Sequence, residues 1–202
     1  MKKRLFLTLA AVFVVAMFAG CTVQTDDLSP QIAPMELSES QQEILDLITR
    51  TGQEILLFDY IPGGMLNEME VWVEIYSYGE LQGEIIGLRM FGDEAMPIND
   101  GQLTIVINQY GNSEFRWTIS AGGASVRGSW TADRDYRGRS FGAITESVPV
   151  TDGQEVILYM SKFTAADFMR SMNDLQHYLE HPEELAGYTY VHLIKARFSA
   201  ER

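Results

Sequence analysis

In Met69-Glu70-Val71-Trp72-Val73-Glu74-Ile75-Tyr76 the aliphatic Met69, Val71, Val73 and Ile75 alternate with Glu70, Trp72, Glu74 and Tyr76, and Glu84-Ile85-Ile86-Gly87-Leu88-Arg89-Met90 follows across a glycine-containing turn. A period of two is the mark of a strand with one face buried. A two-residue turn at Gly79-Glu80, with glycine first as a type II′ loop requires, sets the register. Ile75 then pairs with Glu84, Val73 with Ile86, Val71 with Leu88 and Met69 with Met90, so three of four pairs are apolar on one face. On the opposite face Trp72 falls across from Gly87, where an aromatic ring can cover the glycine. A slip by one residue would send the apolar set to the wrong side.

A second hairpin obeys the same rule. A Gly122-Gly123 turn pairs Ile119 with Val126, Trp117 with Gly128 and Phe115 with Trp130. Further strands are expected at residues 55–60, 103–109, 141–150, 156–163 and 188–198, with turn signals at Asn99-Asp100-Gly101 and Thr151-Asp152-Gly153. About nine short strands without an alternating helix pattern predict a mainly β fold, an antiparallel β-sandwich.

Two helices complete this expectation. Ser38-x-x-Gln41 and Ser40-x-x-Glu43 are overlapping capping boxes ahead of Ile44, Leu45, Leu47 and Ile48, an apolar stripe suited to covering a sheet, and Gly52 stands at the far end. Near the C-terminus Thr164 can cap a helix carrying Phe168, Met172, Leu175 and Leu179. Pro182 disfavours helix at His181 and should end it there, with residues 183–185 adding one more turn.

Composition agrees with one folded domain. The 202 residues are 46% hydrophobic and 21% charged, with a single Cys, which excludes a disordered tail, a collagen-like fibre and a disulfide-stapled miniprotein.

The N-terminus carries an address. Lys2, Lys3 and Arg4 precede an uncharged run over residues 5–20. That run is shorter than the roughly 20 residues a bilayer span needs, and suits a signal peptide instead. It ends at Phe18-Ala19-Gly20-Cys21, which resembles the lipobox of bacterial lipoproteins, with Phe18 where that family usually has Leu. The resemblance implies cleavage before Cys21 and a diacylglyceryl group on its thiol. Thr22 in place of Asp implies the absence of the inner-membrane retention signal used in two-membrane bacteria. Acyl chains hold a protein at about 0.8 kcal/mol per buried CH₂, and two or more chains anchor it stably.

On this reading residues 1–20 are a signal peptide, 21–37 a flexible tether with Pro30 and Pro34, and 38–202 a single β-sandwich domain. Loss of residues 1–20 leaves 12 cations against 28 acids, a net charge of −16. So anionic a chain is repelled by nucleic acid and by anionic headgroups, which leaves the lipid on Cys21 as the link to the extracytoplasmic face of the cell membrane. Glu70-Val71-Trp72-Val73-Glu74, Tyr78-Gly79-Glu80-Leu81 and His192-Leu193-Ile194-Lys195 also resemble lipoproteins of clostridia-type bacteria, a group with no assigned activity.

Catalytic and metal motifs fail in context. Gly138-Arg139-Ser140-Phe141-Gly142 fits G-x-S-x-G, yet a charged stretch precedes it and a β-branched one follows, so it reads as a glycine-bounded loop entering a strand. Asp133-x-Asp135 starts like an EF-hand loop but has Arg137 at the fifth position and Ile144 at the twelfth. His177 and His181 have helical spacing without H-E-x-x-H, and read as surface histidines at a helix end. His192, in an apolar strand, reads as a hydrogen-bonded core or face histidine. Glu68, Glu70, Glu74, Glu80 and Glu84 can offer paired carboxylates, but alternating acids are ordinary on a solvated strand face. No catalytic residue, metal or cofactor is expected.

The least ordinary feature is Arg116, Arg127, Arg134, Arg137 and Arg139 interleaved with Trp117, Trp130 and Tyr136. Arginine and aromatic side chains are what interface hot spots are made of. Arg116, Arg127, Trp130, Arg134, Tyr136, Arg137 and Arg139 form a candidate binding patch for an acidic or sugar-containing envelope partner. The functional expectation is a lipid-anchored, non-enzymatic binding module of the cell envelope. A hydrolase acting on cell-wall or surface polysaccharide, and a structural accessory of a membrane complex, are the alternatives.

Overall fold

A computed structural model describes residues 29–50, 52–63, 66–92, 98–111, 113–166 and 174–200. Cys21 and the rest of the signal-like segment lie outside the described residues, as do Phe168 and Met172. The chain forms two antiparallel sheets face to face. In chain order the strands are β1 (Gln31–Pro34), β2 (Gln53–Ile61), β3 (Glu68–Ser77), β4 (Glu80–Phe91), β5 (Gly101–Tyr110), β6 (Glu114–Ala121), β7 (Ala124–Thr131), β8 (Gly138–Ala143), β9 (Val148–Pro149), β10 (Glu155–Thr164) and β11 (Tyr190–Ser199). One sheet has the order β7-β6-β5-β2-β1-β9 and the other β4-β3-β11-β10-β8.

The β6–β7 hairpin has the expected register: Gly122 and Gly123, both at positive φ, join strands in which Trp117 faces Gly128 and Phe115 faces Trp130. In the β3–β4 hairpin Val73 pairs with Ile86, Val71 with Leu88 and Met69 with Met90, as the pleat requires. The turn differs. Tyr78 and Gly79, at φ 49° and 82°, are its two central residues, and Ser77 pairs with Glu80. Register shifts between Val73 and Glu74 and between Ile75 and Tyr76 absorb the difference, so Ile75 meets Gly83 instead of Glu84. Such bulges let the buried set stay on its face while the tip moves. Trp72 does stand opposite Gly87, but a Cβ on Gly87 would meet nothing within 4 Å, so the ring does not cover it. The indole instead donates to Glu74 Oε1 at 2.9 Å, beneath the Arg197 guanidinium.

Three other expectations need correction. The tether over residues 21–37 contains β1, which lies between β2 and β9 and buries Ile32 completely. Proline at residues 30 and 34 brackets this strand without breaking its pairing. The strand expected over residues 141–150 is two pieces that leave one sheet and join the other, β8 and β9, with Pro149 on an edge where no ladder N–H is needed. The first helix, α1 (Glu39–Thr49), has its Ser38–Gln41 capping box formed, but no residue of it is buried. Ile44 and Leu47 are 60% and 62% exposed, so the stripe does not cover a sheet. Near the C-terminus the described helix is the single turn α2 (His177–Glu180): Thr164, expected to cap it, instead ends β10, and Leu175 precedes it, but it does stop before His181-Pro182 and leads into a 3-10 turn (Pro182–Gly187).

The core lies between the sheets. Phe58, Tyr60, Leu103, Ile105, Ile107, Phe115, Trp117 and Ile119 of one sheet face Met69, Val71, Val73, Ile75, Ile194, Phe198 and Phe163 of the other. Among the described residues no helix is long and apolar enough to cross a membrane.

Candidate binding cleft

At one rim of the sandwich the tip of the β3–β4 hairpin, the end of β7, the start of β11 and the loop after β7 converge on an open cleft of about 540 Å³. Tyr78, Trp130 and Tyr190 supply aromatic walls; Ser77, Glu80, Gln82, Thr131, Asp133 and Arg134 supply polar groups. That volume falls inside the about 300–1,000 Å³ range of small-molecule sites.

Each wall is held from behind. Trp130 alternates inward at the end of the edge strand β7 and meets Tyr190 edge-on at 4.8 Å and His192 at 5.1 Å. Tyr190 is buried and its hydroxyl donates to Asp133 Oδ1; burial first, and the Asp133 carboxylate second, push the phenol up to about 12. Tyr78 sits at positive φ, costly for a non-glycine residue. Its N–H bonds to the Tyr188 carbonyl at 3.1 Å, and a Cβ on Gly79 would come within 3.0 Å of Ala186. The turn is therefore locked against the 3-10 segment, and it holds the half-exposed Tyr78 ring under Arg134 Cζ, 5.4 Å from the ring centroid.

The structure divides the seven-residue patch. Trp130 and Arg134 come together in the cleft. Arg116 and Arg127 are exposed on the outward face of the β6–β7 hairpin, Arg116 paired with Glu114 at 2.7 Å and lying over Tyr110. Arg137 lies on the exposed loop that leads into β8. Arg139 points inward instead: it pairs with Glu54 at 2.5 Å, donates to Gln109 and Tyr159, and lies near the rings of Phe141 and Phe163. Tyr136 joins this inner group through Gln109 Nε2 at 2.7 Å and packs on Phe163. Arg139 thus ties the two sheets together.

Gly138–Gly142 lies within the edge strand β8, with Ser140 paired to Lys162 of β10, so the motif is strand and not a loop before one. Asp133 is engaged by Tyr190. The rings of His177 and His181 come within 4.4 Å of each other, but His177 Nε2 meets Glu184 and His181 Nδ1 meets Glu183. His192 is a core residue, yet its Nε2 has no hydrogen-bond partner among the described residues. On the outer face of β3 the acids are not merely solvated: Glu68 pairs with Arg89, Glu70 with Arg197 and Glu74 with Lys195. Burial alone would raise the Glu74 carboxyl, but hydrogen bonds from Lys195, Trp72 and Tyr76 outweigh it and hold the group below the ordinary range.

Tyr78, Tyr190, Ser77, Gln82 and Thr131 were not legible as site residues. A tyrosine in the first position of a primed turn runs against local preference, so no turn rule pointed to it.

The molecule is thus a two-sheet antiparallel sandwich that carries an aromatic and polar cleft at its rim. The YgaN domain family matches residues 31–198, and the chain belongs to that family. No curated protein and no solved structure matches it.

Proposed function

We propose that this chain is a lipid-anchored, non-enzymatic binding module of the cell envelope, held at the extracytoplasmic face through Cys21, with the rim cleft as its recognition site. The cleft carries the reading: Tyr78, Trp130 and Tyr190 form its apolar walls, and Arg134 stands among six polar lining residues. The lipobox-like Phe18-Ala19-Gly20-Cys21 supports the anchor, and the −16 charge left after loss of residues 1–20 supports a lipid link in place of a basic surface.

Two experiments test this. Labelled palmitate should enter the wild type and not Cys21→Ala, and Cys21→Ala should leave the membrane fraction; a variant that stays there unaltered refutes the anchor. Arg134→Ala, which removes the guanidinium donor from the cleft, should weaken capture of envelope material by the full chain at least tenfold while leaving its melting temperature unchanged, since Arg134 is exposed. Undiminished capture refutes the cleft as the recognition site. Arg139 is unsuited to this test because its loss would unpair Glu54.

A second reading, a hydrolase of surface polysaccharide, is favoured by one observation: Glu80 and Asp133 line the same cleft. Release of new reducing ends by the wild type and not by Glu80→Gln would establish it.

A further inference from the structure

Resting on the cleft as the recognition site, we infer that its ligand is a neutral or amine-bearing saccharide and not an anionic one. The lining chemistry decides the class. An apolar small molecule is met by a mostly hydrophobic pocket with few polar groups. Here the proportion is reversed, with three aromatic rings against six hydroxyl, carboxylate, amide and guanidinium side chains. A sugar ring has an apolar C–H face and a rim of hydroxyls. The first suits an aromatic wall, and the second suits planar acceptors and donors such as Glu80, Asp133, Gln82 and Arg134.

Charge narrows the class further. Glu80 and Asp133 set two carboxylates against the one guanidinium of Arg134, which itself lies 3.9 Å from Asp133. A carboxylated or phosphorylated ligand would therefore meet net like charge, whereas a neutral or aminated sugar would not. Tyr78 adds a structural pointer. Asparagine would satisfy a left-handed turn position at lower cost, yet the chain places there a tyrosine, 48% exposed, that lines the cleft with its ring against the Arg134 guanidinium.

The test uses full-length protein in detergent and three tetrasaccharide probes: N-acetylated chitotetraose, its deacetylated form and tetragalacturonate. By titration calorimetry the first two should bind at least tenfold more tightly than the third. Tyr78→Asn keeps a residue suited to the turn and removes the ring, and it should weaken binding at least tenfold with an unchanged melting temperature. Glu80→Gln should weaken the deacetylated probe more than the acetylated one. Preference for tetragalacturonate, weakened by Tyr78→Asn, overturns the ligand class and leaves the cleft as the site. Failure of all three probes overturns the class, and the recognition reading then rests on the Arg134→Ala capture result. Saccharide binding that neither Tyr78→Asn nor Glu80→Gln alters overturns both.

Discussion

His192 stands among Phe115, Trp117, Trp130 and Phe163 with ring centroids 4.7–5.3 Å away, buried, its Nε2 without a partner among the described residues. Burial first, and the Arg139 charge second, push its imidazole down to about 3. In the unfolded chain the ordinary value is about 6.5, so between those limits the unfolded state binds a proton that the folded state refuses. Stability is therefore undiminished by this residue above pH 6.5 and falls as the pH drops, at about 1.4 kcal/mol per pH unit. Wild type should lose roughly 2 kcal/mol between pH 7 and pH 5 from this source, and His192→Met should not. Urea midpoints at the two pH values check it; equal losses in both proteins would contradict the assignment. Alternation in Tyr190–Ser199 placed this histidine on an apolar strand, but the pattern of one strand carries no information on the four rings that other strands bring around it.

The hairpins show what a local pattern settles. Three pairs of the β3–β4 register follow from alternation alone, because burying Val71, Val73 and Met69 on one face admits one pairing. The tip did not follow, since its geometry answers to Ala186 in a segment more than a hundred residues away in the chain. Gly79→Ala should cost about 1–2 kcal/mol, through the positive φ and the close approach to Ala186, while Leu47→Ser on the exposed stripe of α1 should stay within about 0.5 kcal/mol. Chemical denaturation of the two variants checks the contrast. α1 is a case where the capping signal was right and the packing partner was not: periodicity creates an apolar stripe without specifying what meets it.

For the molecule as a whole, the decisive strand is the one that looked least like structure. β1 is four residues long, carries one proline, and bridges β2 to β9, so the folded unit begins before residue 38. A chain starting at residue 38 should be less stable than one starting at residue 29 by at least about 2 kcal/mol, the low end for losing one fully buried Ile, and parallel thermal melts of the two decide it. The cleft belongs to this scale as well, since the residues that form it come from two sheets and two loops. Only Trp130 and Arg134 of the seven-residue patch meet there; Arg139 turns inward because Glu54 of the other sheet is its partner. By itself the amino-acid order determined most of the longer strands, the apolar pairs of the two hairpins, the class of fold and the lipobox-like start, all of which depend on neighbours close along the chain. Only the tertiary structure decided which arginines are exposed, where β1 inserts and which aromatic rings share a rim, because burial and charge pairing there are set by segments that the chain brings together from afar.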